Sequence, residues 1–514
     1  MLHSSRIPRL HPNISSCYSN VPVIAACRSS RSNSRRSSVA CAAAAVAAAA
    51  AVGIDLGTTN SAVAILRKGE TYPTIIRDST GSFTIPSVVS YSPDGRCIVG
   101  QLAKQQAAAN PLNTFYSVKR LIGRKLEEVQ DLELVYGAAA DEQGGVQLLC
   151  PARAAPLTPQ EVSADVLRHL LQLAAQALGG SPPQQVVITV PAYFGPQQRA
   201  ATLQAAQLAG IQQVSLLQEP VAAGMAFGFG KPLDAELLLV FDLGGGTFDL
   251  SLVDSFEGIM EVLGTDGDAQ LGGDDFDAAL AAWLQQQLAS SSSSSSDAAP
   301  QQLQQLPPEV LAQLLEAAEA AKCRLTEQQV TSIHLDAATA TAAAAGQCVS
   351  QQQQQQQQQV TVELSRQEMH AATAQLRQRL WSPLQALAED CKLAYECEPS
   401  QIEQLLAQQA TGQTLKPQQN GSSSSSSNGS SEPYAPKPRK LTAVLLVGGA
   451  TRMPIIQQGL QTLTGLEPRC EVDPEQAVAL GAAIQAAVLL GLSSGLEMMD
   501  GSYVEEQHNR STGF

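Results

Sequence analysis

Apolar strands that run directly into glycine turns occur three times along this chain and set its organisation. The first is Val52-Gly53-Ile54-Asp55-Leu56-Gly57-Thr58-Thr59-Asn60, continuing into Ser61-Ala62-Val63. The second, residues 239–243, meets Gly244-Gly245-Gly246 and continues as Thr247-Phe248-Asp249-Leu250-Ser251. Both read as a buried strand, a tight turn and a strand running back. The third, residues 443–447, ends in Gly448-Gly449-Ala450-Thr451-Arg452. Residues 186–190 predict a buried strand ended by Pro191, and residues 85–91 predict another. Helical spacing covers 160–178, 199–209 before Gly210, and 219–226 with Pro220 in the first turn. It returns near 275–287, at 307–325 and at 474–490, where Ala477, Gly481 and Ala482 offer a small-residue face for close packing. Strands alternating with helices predict an α/β architecture. Three biased tracts, at 290–296, 351–359 and 420–431, have too little apolar surface to bury and are expected to be disordered surface loops.

At 514 residues the chain has room for two or three domain-sized units. A formal charge of −15 argues against a general nucleic-acid binder. The charge is uneven: residues 1–41 hold arginines but no lysine and no acid, so the remainder is more acidic still. Such an Arg/Ser-rich, acid-free leader fits an organelle transit peptide, with small residues around Cys41 at a plausible cleavage point. A disordered tail is the plainer reading, and arginines at 28, 31, 35 and 36 disfavour a secretory signal. The alanine-rich run 39–54 is too short to span ~30 Å of hydrocarbon, so no membrane association is expected. Ten cysteines occur without any C-x-x-C pair, the usage of a reducing compartment.

Three successive glycines remove every Cβ from the second turn, so its N–H groups can approach a phosphate closely. Two such hairpins facing each other could clamp a polyphosphate and its metal. Asp55 and Asp242 fit either turn-forming residues or metal ligands, and Asp249 alternates outward on its strand. By itself Lys104 is an ordinary exposed lysine. The spacing of Glu319, Lys322 and Thr326 puts them on one helical face, which alone reads as a solvated charged stripe.

With the three motifs in this order, the chain resembles the nucleotide-binding (ATPase) domain of the 70-kilodalton heat-shock chaperones, over about 52–490. Pro86-Ser87-Val88-Val89, Asn113-Thr114-Phe115 and Val118-Lys119-Arg120-Leu121-Ile122-Gly123-Arg124 resemble the bacterial and plastid branch. Val190-Pro191-Ala192-Tyr193-Phe194 and Leu271-Gly272-Gly273-Asp274-Asp275-Phe276-Asp277 match it too. The resemblance implies a two-lobed, actin-like and sugar-kinase-like ATPase fold with duplicated phosphate-binding hairpins. It implies lobe I at 52–236, lobe II at 237–468, a return helix at 469–490 and a divergent tail at 491–514. Its implied ligands are ATP or ADP and water-mediated Mg²⁺, with Asp55 and Asp242 at the metal. Lys104, Glu219, Asp242 and Thr247 would carry the chemistry. Gly57, Thr58, Thr59, Asn60, Gly244, Gly245 and Gly246 would hold phosphates. Glu319, Lys322, Thr326, Gly448, Gly449, Arg452 and Glu475 would frame the rest of the nucleotide.

Departures from the family pattern refine the expected role. Cys323 stands where relatives carry Arg against the adenine, Ala450 replaces a common Ser, and Asp473-Pro474-Glu475-Gln476 replaces Asn-Pro-Asp-Glu. Gly195-Pro196 is unusual after Pro191, although Pro191 and Arg199, the family's interdomain switch pair, are both present. Ser215 replaces the Arg expected on a J-domain surface. The stretch that matches the family's linker reads Leu496-Glu497-Met498-Met499-Asp500, and a chain shortened to the nucleotide-binding domain, without the peptide-binding β-sandwich, is the expectation. The resemblance therefore implies a plastid (stromal) ATPase, slow in hydrolysis, serving protein-folding networks, with mitochondrial delivery as runner-up. An exchange factor is an expected partner. J-domain stimulation is expected to be weak or absent, and independent client-peptide binding is not expected. The alternatives are a non-hydrolysing nucleotide-binding regulator that competes for exchange factors, and a sugar kinase of the same fold.

Overall fold

Every residue of strand β1 (Ala50–Asp55) except the terminal Asp55 is buried, because the strand is covered on both faces. It pairs antiparallel with β2 (Asn60–Arg67), Gly53 opposite Ala64, and parallel with β3 (Gln185–Val190), Val52 opposite Val186. Strand β4 (Val214–Gln218) lies parallel to β3 on its far side. The computed structural model describes residues 50–492 apart from 108, 131, 133, 135, 181–182, 184, 230–235, 257–258, 292–302, 304–305, 346–358 and 411–437. The basic leader, the 420–431 tract and the linker with the rest of the tail from 493 lie outside the described residues. Among the described residues no helix is long and apolar enough to cross a membrane.

Residues 85–91 do not form one strand. Ile85–Pro86 pairs with β2, whereas Val89–Tyr91 joins a separate sheet with Cys97–Val99 and Thr114–Phe115. Pro86 has no N–H to continue a ladder, which is the reason for the break. Helix α1 (Gln101–Gln106) lies between Cys97–Val99 and Thr114–Phe115 of that small sheet. Helix α2 (Pro159–Ala177) starts with a capping box: Thr158 Oγ1 accepts from Glu161 N–H at 3.2 Å, and Glu161 accepts from Thr158 N–H at 2.7 Å. Helix α3 (Pro196–Leu208) begins three residues before the periodicity suggests, because Pro196 sits in its first turn. Helix α4 (Glu219–Gly228) follows β4 directly.

The second sheet repeats the first. Its hairpin is β5 (Glu236–Leu243) with β6 (Phe248–Phe256), Leu243 opposite Phe248, and β7 (Ile259–Asp268) extends it antiparallel. Strand β8 (Ala443–Val447) lies parallel to β5, Phe241 opposite Leu446, giving the order β7-β6-β5-β8. Each sheet thus carries a hairpin with a parallel strand beside its first member, the duplicated arrangement of the actin-like ATPase fold. Helix α5 (Gly273–Ser291) runs further than the serine tract suggests. Ser290 and Ser291 hydroxyls donate to the carbonyls of Gln286 and Gln287 at 2.8 and 2.9 Å, so these two serines extend the helix rather than a loop. Gln359 likewise opens the strand Gln359–Ser365, paired with Val330–Asp336. Helix α6 (Pro308–Arg324) follows the serine tract.

Helix α7 (Ala477–Leu489) joins the two halves. It shares one core with Ala51 and Val187 of the first sheet, Leu238 and Leu445 of the second, and the apolar face of α4. The small-residue face predicted for it is what permits this. A Cβ on Gly481 would stand 1.8 Å from Ala222 O of α4.

Candidate functional site

Both hairpins place their turns at one cleft. Gly57, Thr58, Thr59 and Asn60 line it from one side, Gly244, Gly245 and Thr247 from the other, with Gly448, Gly449 and Glu475 closing a third. The opposed tips touch: a Cβ on Gly245 would be 2.5 Å from Thr59 Oγ1, and Thr59 Oγ1 donates to Asp274 Oδ2 at 3.4 Å. The facing hairpins that the repeated pattern suggested are therefore present, around a space of about 90 Å³.

Carboxylates gather at the floor. Asp55 ends β1, Asp242 lies near the end of β5, and Glu219 opens α4. Asp249 was expected to point outward, but it pairs directly across from Asp242 in the hairpin, so both carboxyls emerge on one face. Burial pushes Asp55 up to about 7, with the Glu219 carboxylate adding to it and Lys119 opposing. Burial and Glu219 likewise push Asp249 up to about 7. Asp242 is held well above the usual carboxylate range by burial and by Glu219, Asp249 and Asp55 together.

The cation among these acids is Lys119. Its Nζ donates to Glu219 Oε1 at 2.5 Å, and both side chains are nearly buried. Burial alone would lower its pKa, but Glu219 and Asp55 outweigh that and hold it above the ordinary lysine value. Lys104 is elsewhere. It lies on the short helix α1, half exposed, with Nζ 3.2 Å from Glu319 Oε2, and does not line the cleft. The structure therefore places Lys119, not Lys104, among the acids of the cleft floor. In Val118-Lys119-Arg120-Leu121-Ile122 the buried Val118, Leu121 and Ile122 flank two adjacent cations, and the spacing does not say which of them turns inward.

The residues expected at the nucleoside lie on and after α6 and in the loops after β8, of which Gly448, Gly449 and Glu475 line the cleft and those of α6 do not. Lys322 is buried, donating to Asp277 Oδ2 at 2.8 Å and Gly273 O at 3.0 Å. Thr326 does not share the helical face of Glu319 and Lys322, because α6 ends at Arg324; its hydroxyl instead donates to Cys323 O at 2.7 Å. Arg452 donates to Asp473 Oδ1 at 2.6 Å and Glu475 Oε2 at 3.4 Å, closing that edge. Gly246 does not line the main cleft, and Arg120 donates to its carbonyl from behind.

This donor set fits a hydrated magnesium ion. Asp55, Asp242 and Asp249, each half-buried and held above the usual carboxylate range, share one lysine, a deficit of positive charge that a divalent cation would relieve. Among the described residues no three acids, histidines or cysteines are grouped to hold an ion together.

Comparison with known proteins agrees with this geometry. The sequence profile described as "Hsp70 protein" matches residues 51–405 and 435–502. "Chaperone protein dnaK" of Cyanidioschyzon merolae is 38% identical over 451 residues, 87% of this chain and 63% of that protein. "Heat shock 70 kDa protein 6, chloroplastic" of Arabidopsis thaliana is 37% identical over 87% of this chain and 54% of its own length. "Stromal 70 kDa heat shock-related protein, chloroplastic" of Pisum sativum is 37% identical over the same shares. The chain spans between about half and under two thirds of the length of these relatives. It belongs to the Hsp70 family, in its bacterial and plastid branch.

Proposed function

We infer that this chain binds ATP with Mg²⁺ and hydrolyses it slowly, serving a protein-folding network in the plastid. The observation that carries this reading is the cluster of half-buried Asp55, Asp242 and Asp249 with the Lys119–Glu219 pair beneath two opposed glycine hairpins. Thr58, Thr59 and Gly245 would offer N–H and hydroxyl donors to phosphates, beside Gly244, whose own N–H is taken by Thr247 O at 3.0 Å. Asp55 and Asp242 would hold the metal through its waters, and bound Mg²⁺ would neutralise charge on the phosphate oxygens. Lys119 supplies a fixed positive charge where negative charge develops, replacing Lys104 in that role. Glu219 holds Lys119 in place, and Asp249, at about 7, is poised to take a proton from a water in the cleft. Thr247 lines the same wall. Gly448, Gly449, Arg452, Glu475, Glu319, Lys322 and Thr326 frame the nucleoside, with Lys104–Glu319 tying α1 to α6.

Relatives named chloroplastic support a plastid location, in keeping with the basic leader. An exchange factor is a fitting partner. Coupling to a J-domain protein is weak in this reading, because Ser215 on β4 offers only a hydroxyl, bonded to Gln185 at 3.2 Å.

The test is phosphate release from ATP by the full chain, with and without Mg²⁺. Slow, Mg²⁺-dependent turnover without added sugar is expected. Tight nucleotide binding without any cleavage would replace this reading with that of a non-hydrolysing regulator.

A further inference from the structure

Behind the hairpin tips lies a second cavity of about 180 Å³. Thr58, Lys119, Pro191 and Thr247 line both this cavity and the nucleotide cleft, so the two spaces share a wall. The charged lining beyond that wall is dominated by Arg120 and Arg124, which enter from the same turn as Lys119. Arg120 donates through Nη2 to Gly246 O, while its Nε is buried without a hydrogen-bond partner. A Cβ on Gly246 would stand 2.8 Å from this guanidinium, so the third glycine lets the arginine lie against the loop. Arg124 donates to Glu128 O at 2.9 Å, and neither guanidinium is ion-paired among the described residues. Glu128 is the acid in this lining, but its carboxylate accepts from the Lys125 N–H at 2.7 Å.

A buried guanidinium N–H without an acceptor, as at Arg120 Nε, is costly, and the fork geometry of the two guanidinium groups suits a tetrahedral oxyanion. The space holds such an ion with several waters, each needing about 30 Å³. We propose that this cavity receives the inorganic phosphate cleaved from ATP, and that Arg120 and Arg124 hold it there while ADP remains in the cleft. The proposal rests on the hydrolytic reading above. The shared wall makes the transfer short, since Thr58 and Thr247 face both spaces. Glu319 and Lys322, which frame the nucleoside in that reading, line neither the shared wall nor this cavity.

Two measurements on the full chain test it, using Arg124→Ala and Arg124→Lys, with melting curves to confirm folding. Equilibrium dialysis of radiolabelled orthophosphate against the nucleotide-free protein should show at least tenfold weaker binding for Arg124→Ala and partial retention for Arg124→Lys. In a single turnover, acid quench should show unchanged ATP cleavage in Arg124→Ala, while a fluorescent phosphate sensor reports release slowed threefold or more. Equal orthophosphate binding by parent and Arg124→Ala, or unaltered release after normal cleavage, overturns the proposal. If quench shows no cleavage in the parent, the hydrolytic reading fails, and the dialysis result alone decides whether the cavity is a phosphate site.

Discussion

Lys119 Nζ lies 2.5 Å from Glu219 Oε1 in the interior of the cleft, and this pair anchors the charge balance of the whole site. Each side chain is about one tenth exposed, at 11% and 10%. Breaking such a pair leaves an uncompensated buried charge, whereas the half-exposed Lys104–Glu319 pair is screened by water.

Lys119→Ala should cut ATP turnover by ~10²-fold or more, the scale for losing a preorganised charge at the reacting phosphate. Nucleotide affinity, read by fluorescent-nucleotide titration, should change far less. The same variant should lose about 3–5 kcal/mol of stability, with Glu219→Gln in the double variant restoring much of it. Single-turnover quench and denaturant unfolding read the two effects separately.

Lys104→Ala should leave the cleavage step within about threefold of the parent and cost no more than ~1 kcal/mol, as an exposed ion pair does. Its effect should appear in nucleotide dissociation, because the Lys104–Glu319 contact ties α1 to α6. A stopped-flow chase of labelled ADP measures it. A turnover loss as large as that of Lys119→Ala would return the catalytic role to Lys104.

Asp242→Asn should raise the melting temperature of the nucleotide-free protein at pH 8. A buried acid whose pKa is held above its unfolded value contributes most at low pH and loses that contribution as pH rises, so its charge opposes folding at pH 8. The same change should remove most of the stabilisation gained on adding Mg²⁺ and ATP. Thermal melts in the four ligand conditions show both effects.

His370 gives the acid limb of stability. Burial, helped by the cations of Arg377 and Arg366 and opposed by Glu403, lowers its pKa to about 4. Because the folded value lies below the unfolded one, its contribution is present above about pH 6.5 and is lost as pH falls towards 4. The ring is part exposed, so solvent screening leaves a loss of ~1 kcal/mol. His370→Gln should flatten the fall in unfolding free energy between pH 6.5 and 4, measured by urea titration at each pH.

Gly481→Val should destabilise by about 3 kcal/mol or more, since even the first added carbon would overlap Ala222 O. Denaturant unfolding reads the loss directly. Its effect should extend to nucleotide affinity, because α7 packs against elements of both sheets.

Much of the architecture was legible as local pattern. The hairpins of β1–β2 and β5–β6 follow from apolar runs broken by glycine, and these turns do face one another. The helices α2, α3 and α5 appear where 3.6-residue spacing put them, with ends moved by Thr158, Pro196 and the serines after Leu288. What pattern could not weigh is the depth of a charged residue. Lys104 and Lys119 are alike as letters, and only packing against Phe194 and Glu219 takes one inside while the other stays at the rim.

The sequence by itself determined the family, the repeated strand–glycine–strand unit and the chemical types available at the turns, because these depend on neighbours along the chain. The tertiary structure decided which acids share a face, which lysine meets them and where Thr326 falls after its helix ends. Those outcomes depend on register across strands and on burial. Asp249 joins Asp242 because the antiparallel register sets them opposite each other, and Lys119 stays charged in the interior because Glu219 meets it there.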